Sequence, residues 1–269
     1  MFNTIYQPEV IQCLLEQEQR FGESYLGGKN RIALFDLDNT LIVGDIGEAV
    51  FAQLLIDGFP LPLTWKEYQR LRKEDPGFAY VEAVRAMEGI TFEHIIRVSK
   101  HILQSDDQFL ICEGEHVCLP KPNLLMQEII RLLRDWYYSI FIVSSSNDIS
   151  AKIAGSVLFD IPINNITGIK PMVIGKKFTR KVLEPIPVGI RKIAQYRLMS
   201  GDRMSMIVAA NSELDLPLLH LCDPDGIVIV VGENQGLYEN AKKELSLTIH
   251  LHHIPSDPSS LLQQQHRVA

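Results

Sequence analysis

Apolar and polar positions along this chain alternate between two periods. From Pro8 to Phe21, Val10, Ile11, Leu14 and Leu15 recur at helical spacing, and the pattern predicts an amphipathic helix. Gly22 to Asn30 reads as a turn region, and Arg31 to Phe35 as a first buried strand. Ile46 to Ile56 is helical and is broken by Gly58-Phe59-Pro60-Leu61-Pro62. Thr64 with Glu67 three residues on makes a capping box for a helix over Trp65 to Lys73. Tyr80 to Met87 and Phe92 to Leu103 also read as helices, and no strong strand signal lies between Asp45 and about Ile111.

The period then alternates. A helix is predicted over Asn123 to Tyr137, with Leu124, Leu125, Ile129, Leu132 and Leu133 buried, and a strand over Ser139 to Val143. A helix from Ile149 to Val157 precedes strand-like pieces between Ile166 and Val188 that suggest a hairpin. Next come a helix over Gly189 to Met199, a strand over Met204 to Ala209 and a short helix over Leu214 to Leu221. A strand over Ile227 to Val231 and a helix over Gln235 to Leu245 follow, and the tail from Pro255 is expected to fray. Alternating strands and helices imply a parallel sheet covered on both faces. The expected fold is therefore an α/β class, three-layer, Rossmann-like core with an inserted helical cap. The core would take residues 1–44 and 113–269, and the cap residues 45–112.

Composition narrows the class. The chain has 269 residues, 46% of them hydrophobic and 22% charged, with a net charge of −7. An acidic balance of this kind argues against a nucleic-acid partner. Cys13, Cys112, Cys118 and Cys222 form no CxxC pair and read as reduced thiols, with a Cys112–Cys118 bridge as the minor alternative. No basic and then apolar leader opens the sequence, and no apolar run approaches the ~20 residues that span a bilayer. A cytoplasmic protein with no membrane partner is expected, and its oligomeric state is left open.

The candidate chemistry sits where strands end. Asp36 and Asp38, in Phe35-Asp36-Leu37-Asp38-Asn39-Thr40, lie two apart after an apolar strand, so both face one side. Like charges held that close call for a cation or a proton between them. Ser144 and Asn211 with Asp215 close two further predicted strands. Parallel strands would bring all three ends to one edge, the usual ligand site of an open α/β sheet.

These motifs resemble the haloacid dehalogenase superfamily, in particular its phosphoserine-phosphatase-like phosphatases. The DxDxT motif is Asp36-Leu37-Asp38-Asn39-Thr40, and the strand-end serine is Ser144. The G-x-x-K motif is Gly189-Ile190-Arg191-Lys192, and the acidic pair is Asn211-Ser212-Glu213-Leu214-Asp215. The resemblance implies a phosphatase of a small phosphorylated metabolite, with Asp36 as nucleophile and Asp38 as general acid and base. Ser144 and the amide of Ser145 would bind phosphate, and Lys192 would neutralise charge. Mg²⁺ would be held by Asp36, the carbonyl of Asp38, and Asn211 or Asp215. Asn211 stands where many relatives have Asp, which removes one negative charge from the metal site. Asp45, nine positions after Asp36, would face a cationic group on a phosphoserine- or phosphocholine-like substrate, or else cap the helix beginning at Ile46. Rival readings are a phosphotransferase of the same fold, a metal-free dehalogenase and a non-catalytic binding protein.

Each candidate has a plainer alternative. Ser144, Ser145 or Ser146 could cap the next helix, as could Asn211 or Asp215. Arg191 and Lys170 compete with Lys192. The basic run Lys170, Lys176, Lys177, Arg180, Lys181 reads as a solvated hairpin, because no aromatics interleave it. His250, His252 and His253 read as an exposed strand before a metal site, and Trp136, Tyr137 and Tyr138 as packing at a helix end.

Overall fold

A computed structural model describes residues 8–21, 31–245 and 247–251. In chain order the elements are α1 Pro8–Phe21, β1 Ile32–Phe35, β2 Ile42–Val43, α2 Ile46–Ile56, α3 Trp65–Glu74, α4 Pro76–Ala86 and α5 Phe92–Gln104. They continue with β3 Phe109–Cys112, β4 Glu115–Cys118, β5 Lys121–Pro122, α6 Leu124–Asp135, β6 Ser139–Asn147 and α7 Asp148–Phe159. Then come β7 Ile166–Ile169, β8 Pro171–Ile174, β9 Lys177–Val182, α8 Arg191–Ser200 and β10 Ser205–Ala210. The last four are α9 Leu216–Leu219, β11 Cys222–Val231, α10 Gln235–Glu244 and β12 Leu247–Leu251.

Six strands form one parallel sheet in the order β12-β11-β10-β1-β6-β7. Alternation along β1 divides its side chains: Ala33 and Phe35 enter one apolar cluster, and Ile32 and Leu34 enter another. The first cluster is closed by α1, α2, α6 and α7. The second is closed by Tyr196 of α8, Leu218 and Leu219 of α9, and Leu237 and Ala241 of α10. Helices on both faces of a parallel sheet make the three-layer Rossmann-like core that the alternating periods predict.

Helices α2 to α5 are inserted between β1 and β6, the next strand of the sheet. The predicted capping box is present: Thr64 accepts from the Glu67 amide, and the Glu67 carboxylate accepts from the Thr64 amide. The β3–β4 hairpin was not expected. Its first strand falls at the end of the stretch read as free of strands up to about Ile111, and its turn, Glu113-Gly114, lies just past residue 112, the expected end of the cap. Short strands with exposed Phe109 and Ile111 give too little alternation to announce themselves.

Smaller differences have similar causes. Leu124, expected in the core, is 50% exposed, because Asn123 caps α6 and turns its first residue outward; Met126 and Ile130 take the buried face. Tyr137 is 84% exposed with φ of 62°, whereas Tyr138 is buried. The basic run is the β8–β9 hairpin, with Lys176 and Arg180 paired to Glu93 and Glu82. Cys112, Cys118 and Cys222 are free thiols, so Cys112 and Cys118 form no bridge. His250 bonds the Gly232 carbonyl and stacks on Tyr238. His252, His253, the Gly22 to Asn30 turn region and the tail from Pro255 lie outside the described residues. No helix among the described residues is long and apolar enough to cross a membrane.

Gly168 in β7 fixes how closely β7 meets the end of β6. A Cβ there would lie 2.5 Å from the Ser146 carbonyl and 2.8 Å from the Asp148 Cα, both backbone. Gly168→Ala should therefore cost about 1–3 kcal/mol in urea unfolding, because neither neighbour can rotate aside. A loss below a few tenths would show that β6 and β7 separate freely.

Candidate active site

The carboxyl ends of β1, β6 and β10, the three adjacent central strands, meet at one cavity of about 440 Å³. Its lining includes Asp36, Asp38, Ser145, Lys192, Asn211 and Asp215 from the core. Helices α3 and α4 contribute Gln69, Arg72, Lys73 and Tyr80, none of which the sequence pattern singled out.

Asp36 follows β1 directly, and its amide continues the strand ladder by donating to the Ala209 carbonyl at 3.0 Å. The chain then turns tightly, with the amides of Thr40, Leu41 and Ile42 all donating to the Leu37 carbonyl and Asn39 at φ of 55°. This turn aims Asp36 and Asp38 into the same cavity with different partners. Asp36 Oδ1 accepts from Lys192 Nζ at 2.7 Å, and Oδ2 accepts from Thr40 Oγ1 at 3.0 Å. Lys192 is only 2% exposed. Asp215 Oδ1 lies 2.6 Å from the same ammonium, an ion pair off the direction of a hydrogen bond, and Asp215 Oδ2 accepts from Ser212 Oγ at 2.5 Å. Arg191 is exposed and takes no part. Lys192, one position on, is the residue that the first turn of α8 carries inward.

Asp38 sits at the start of α2. Its Oδ1 accepts from the Ile46 amide at 2.8 Å, and Oδ2 accepts from Ser144 Oγ and Ser146 Oγ, each at 2.8 Å. Asp45 Oδ1 accepts from the Glu48 amide, so Asp45 is the N-cap of α2, and it also accepts from Ser146 Oγ at 3.3 Å. The Gly47 amide donates to Ser146 Oγ at 3.1 Å. Only glycine permits this approach, since a Cβ on residue 47 would lie 2.5 Å from that oxygen. Three amides at the positive end of α2 thus face Asp38, Ser146 and Asp45.

Several expectations change. Ser144, expected on phosphate, is fully buried and gives its hydroxyl to Asp38. Ser145, whose amide was expected on phosphate, lines the cavity, and its hydroxyl donates to the Pro187 carbonyl. None of the three serines caps α7; Asn147 does, accepting from the Ile149 and Ser150 amides. Ser146, weighed only as a cap, is the second partner of Asp38, a role that a Ser-Ser-Ser run gives no sign of. Asp215, expected at the metal, lines the same cavity, pairs with Lys192 and accepts from Ser212. Neither it nor Asn211 caps the following helix through its side chain.

The electrostatics follow from burial. Asp36 is pushed up to about 6, chiefly by burial, with Lys192 opposing and Asp215 adding to the rise. Asp38 is raised well above the usual carboxylate range by burial and by the charges of Asp45 and Asp36. Burial alone would lower Lys192, but Asp215 and Asp36 more than offset it and hold the ammonium charged.

One arrangement bears on a cation. Asn211 Oδ1 is turned toward Asp36 Oδ2 and the Asp38 carbonyl; with the amide reversed, its nitrogen would reach them at 3.3 and 3.2 Å. With the amide reversed, Asn211 Nδ2 donates to both neighbours; with its oxygen inward, Asp36, the Asp38 carbonyl and Asn211 offer a cation three oxygen ligands beside Lys192 and Asp215. Among the described residues no group of three or more His, Cys, Asp or Glu side chains gathers as a metal cage. One carboxylate, one carbonyl and one amide instead suit Mg²⁺, which keeps several waters and takes few protein ligands.

No family model matches the sequence, and no curated protein matches it. Solved structures do resemble it. A protein of unknown function from Bordetella pertussis Tohama I gives a TM-score of 0.59 at 16% identity, over 82% of this chain and 98% of that one. A phosphoserine phosphatase, as a phospho-aspartyl intermediate analogue, gives 0.53 at 16%, over 88% and 99%. A HAD family hydrolase from Salmonella enterica subsp. enterica serovar Typhi gives 0.51 at 14%, over 92% and 78%. The chain shares the fold of these structures, phosphoserine phosphatases among them.

Two outcomes are expected. Lys192→Met leaves Asp36 and Asp215 buried without a counter-charge and should cost about 3–5 kcal/mol in denaturant unfolding. Adding Asp36→Asn to that variant should recover part of the loss, and no recovery would show that the two groups are uncoupled. Glu48, which accepts from Tyr68 and pairs with Arg72, is pushed up to about 7 by burial and then by Asp45. Its protonation favours the folded state, so that stabilisation is complete below about pH 4.5 and is lost as pH rises through 7. Glu48→Gln should flatten the fall in Tm over that window, and an unchanged slope would mean that Glu48 ionises normally.

Proposed function

We propose that the chain is a Mg²⁺-dependent phosphatase that hydrolyses a small phosphomonoester through an aspartyl-phosphate on Asp36. The observation that carries this reading is the state of Asp36. It is a buried carboxylate at a strand end, oriented by Thr40 and neutralised by Lys192, with its second oxygen facing the Asp38 carbonyl and the Asn211 amide. The likeness of fold to phosphoserine phosphatases supports it.

Phosphomonoester hydrolysis needs on the order of 20 kcal/mol of help, and a covalent intermediate divides that barrier into two steps. In the first, an Asp36 oxygen bonds to phosphorus as the ester P–O bond breaks, and Asp38 gives its proton to the departing alkoxide. In the second, Asp38 takes a proton from the attacking water, the acyl–phosphate bond breaks, and inorganic phosphate leaves with Asp36 restored. Burial and the charge of Asp45 raise Asp38, which favours the protonated form that the acid of the first step requires. Lys192 balances charge on Asp36 and on the transferring group. Asp36, the Asp38 carbonyl and Asn211 would hold Mg²⁺, which when bound offsets the repulsion between carboxylate and phosphate. The inserted helices act as a cap, and the 440 Å³ cavity beneath them is of small-molecule size.

Phosphate release from a panel holding phosphoserine, phosphocholine and an aryl phosphate should depend on Mg²⁺. It should fall by several orders of magnitude in Asp36→Asn. Tm should hold or rise in that variant, because one of two carboxylates sharing a single ammonium is removed. Full activity of Asp36→Asn would overturn the mechanism, and no release from any ester would favour a binding role.

A further inference from the structure

A second cavity, of about 310 Å³, adjoins the first and shares Asn39, Asp45, Gln69 and Arg72 with it. Its outer wall is the β3–β4 hairpin, which contributes Glu115, His116 and Cys118. We propose that this cavity is a leaving-group subsite, so that the substrate is the phosphate ester of an elongated alcohol carrying an ammonium or guanidinium group at its far end. The proposal rests on the phosphatase reading and specifies its substrate.

The walls are built and braced. At the hairpin turn Glu113 has φ of 49° and Gly114 85°, which throws the Glu113 carboxylate over the start of α3. There it accepts from the Trp65 amide at 3.2 Å and the Lys66 amide at 3.3 Å. The Trp65 indole, buried against Phe51 and Tyr68, donates Nε1 to Glu115 Oε2 at 3.1 Å. Hairpin and helix are thus pinned at two points, and His116 is held by stacking on Phe109 at 4.3 Å between centroids. The space between them adjoins the cavity that holds Asp36, with Asn39, Asp45, Gln69 and Arg72 bordering both.

The charge of the lining chooses the occupant. Three carboxylates, Asp45, Glu48 and Glu115, border the cavity, and Arg72 is the one Lys or Arg in its lining. Arg72 is already committed, its Nε lying 2.7 Å from Glu48 Oε1. Asp45 gives one oxygen to the Glu48 amide and feels the charge of Arg72, whereas the exposed Glu115 gives one oxygen to Trp65 and has no ion pair among the described residues. A neutral apolar chain offers Glu115 no counter-charge, whereas a terminal ammonium pairs with it at the rim. A leaving group confined to the first cavity meets Asp45 and Arg72 but not Glu115, which lines the second alone.

The experiment is a chain-length series: aminoalkyl phosphates of two, four and six carbons against n-alkyl phosphates of equal length, with an aryl phosphate to show that the active site works. The six-carbon amine should exceed hexyl phosphate in kcat/KM by about threefold or more, through KM, and the two-carbon pair should show less. Glu115→Gln, which keeps an acceptor for Trp65, should bring the six-carbon ratio to about one. Aryl phosphate turnover without an amine advantage, or an advantage unmoved by Glu115→Gln, overturns the subsite and leaves the phosphatase reading standing. Failure to hydrolyse any ester, the aryl phosphate included, overturns both.

Discussion

The site is organised by one buried cation. Lys192 is held between Asp36 and Asp215 with almost no access to water. An ammonium so placed is tolerable only because two carboxylates face it, and two carboxylates so placed are tolerable only because it lies between them. The triad joins the end of β1, the first turn of α8 and the segment after β10. It therefore couples the register of the central strands to the position of the groups that would do chemistry. Its net charge is −1, and the Asp36 oxygen that faces away from Lys192 looks toward the Asp38 carbonyl and Asn211. Asn for Asp at 211 keeps an oxygen there and adds no further charge, so the buried excess stays at a single negative charge.

Asp38 is organised differently, by hydrogen bonds in place of a counter-ion. Ser144, Ser146 and the Ile46 amide all donate to it, and Asp45 stands behind Ser146. The two carboxylates of one motif thus experience opposite neighbours: a cation beside Asp36, and an anion behind Asp38. Environments of that kind separate the tendencies of chemically identical groups to ionise, which is how one carboxylate can serve as nucleophile while the other holds a proton.

The inserted helices are tied to the rest of the molecule as well as lying over the cavity. The Gly89 amide donates to the Phe178 carbonyl, the Phe178 amide to Ile90 and the Phe92 amide to Lys176, which binds the α4–α5 segment to the β8–β9 hairpin. Arg180 adds an ion pair to Glu82, and Val81 and Val84 pack with Val182, Ile186 and Val188. Gln69, Arg72, Lys73 and Tyr80 are consequently presented to the pocket from a braced support.

Much of the fold was legible in the chain because its signals are local. Short continuous apolar runs give β1, β6, β10 and β11, the capping box gives the start of α3, and Asp36 and Asp38 after an apolar strand announce a charged strand end. The choice of Lys192 over Arg191 needed the tertiary structure, since adjacent residues on a helix differ only in which way the helix is turned by its packing. So did the burial of Ser144, the role of Ser146, the pairing of Asp215 with Lys192 and the assembly of a cavity wall from α3 and the β3–β4 hairpin. These depend on contacts between residues up to 156 positions apart, as Asp36 and Lys192 are. Local periodicity carries no record of such distances: it specifies the elements and their apolar faces, whereas which polar groups meet is decided when the sheet brings its strand ends together.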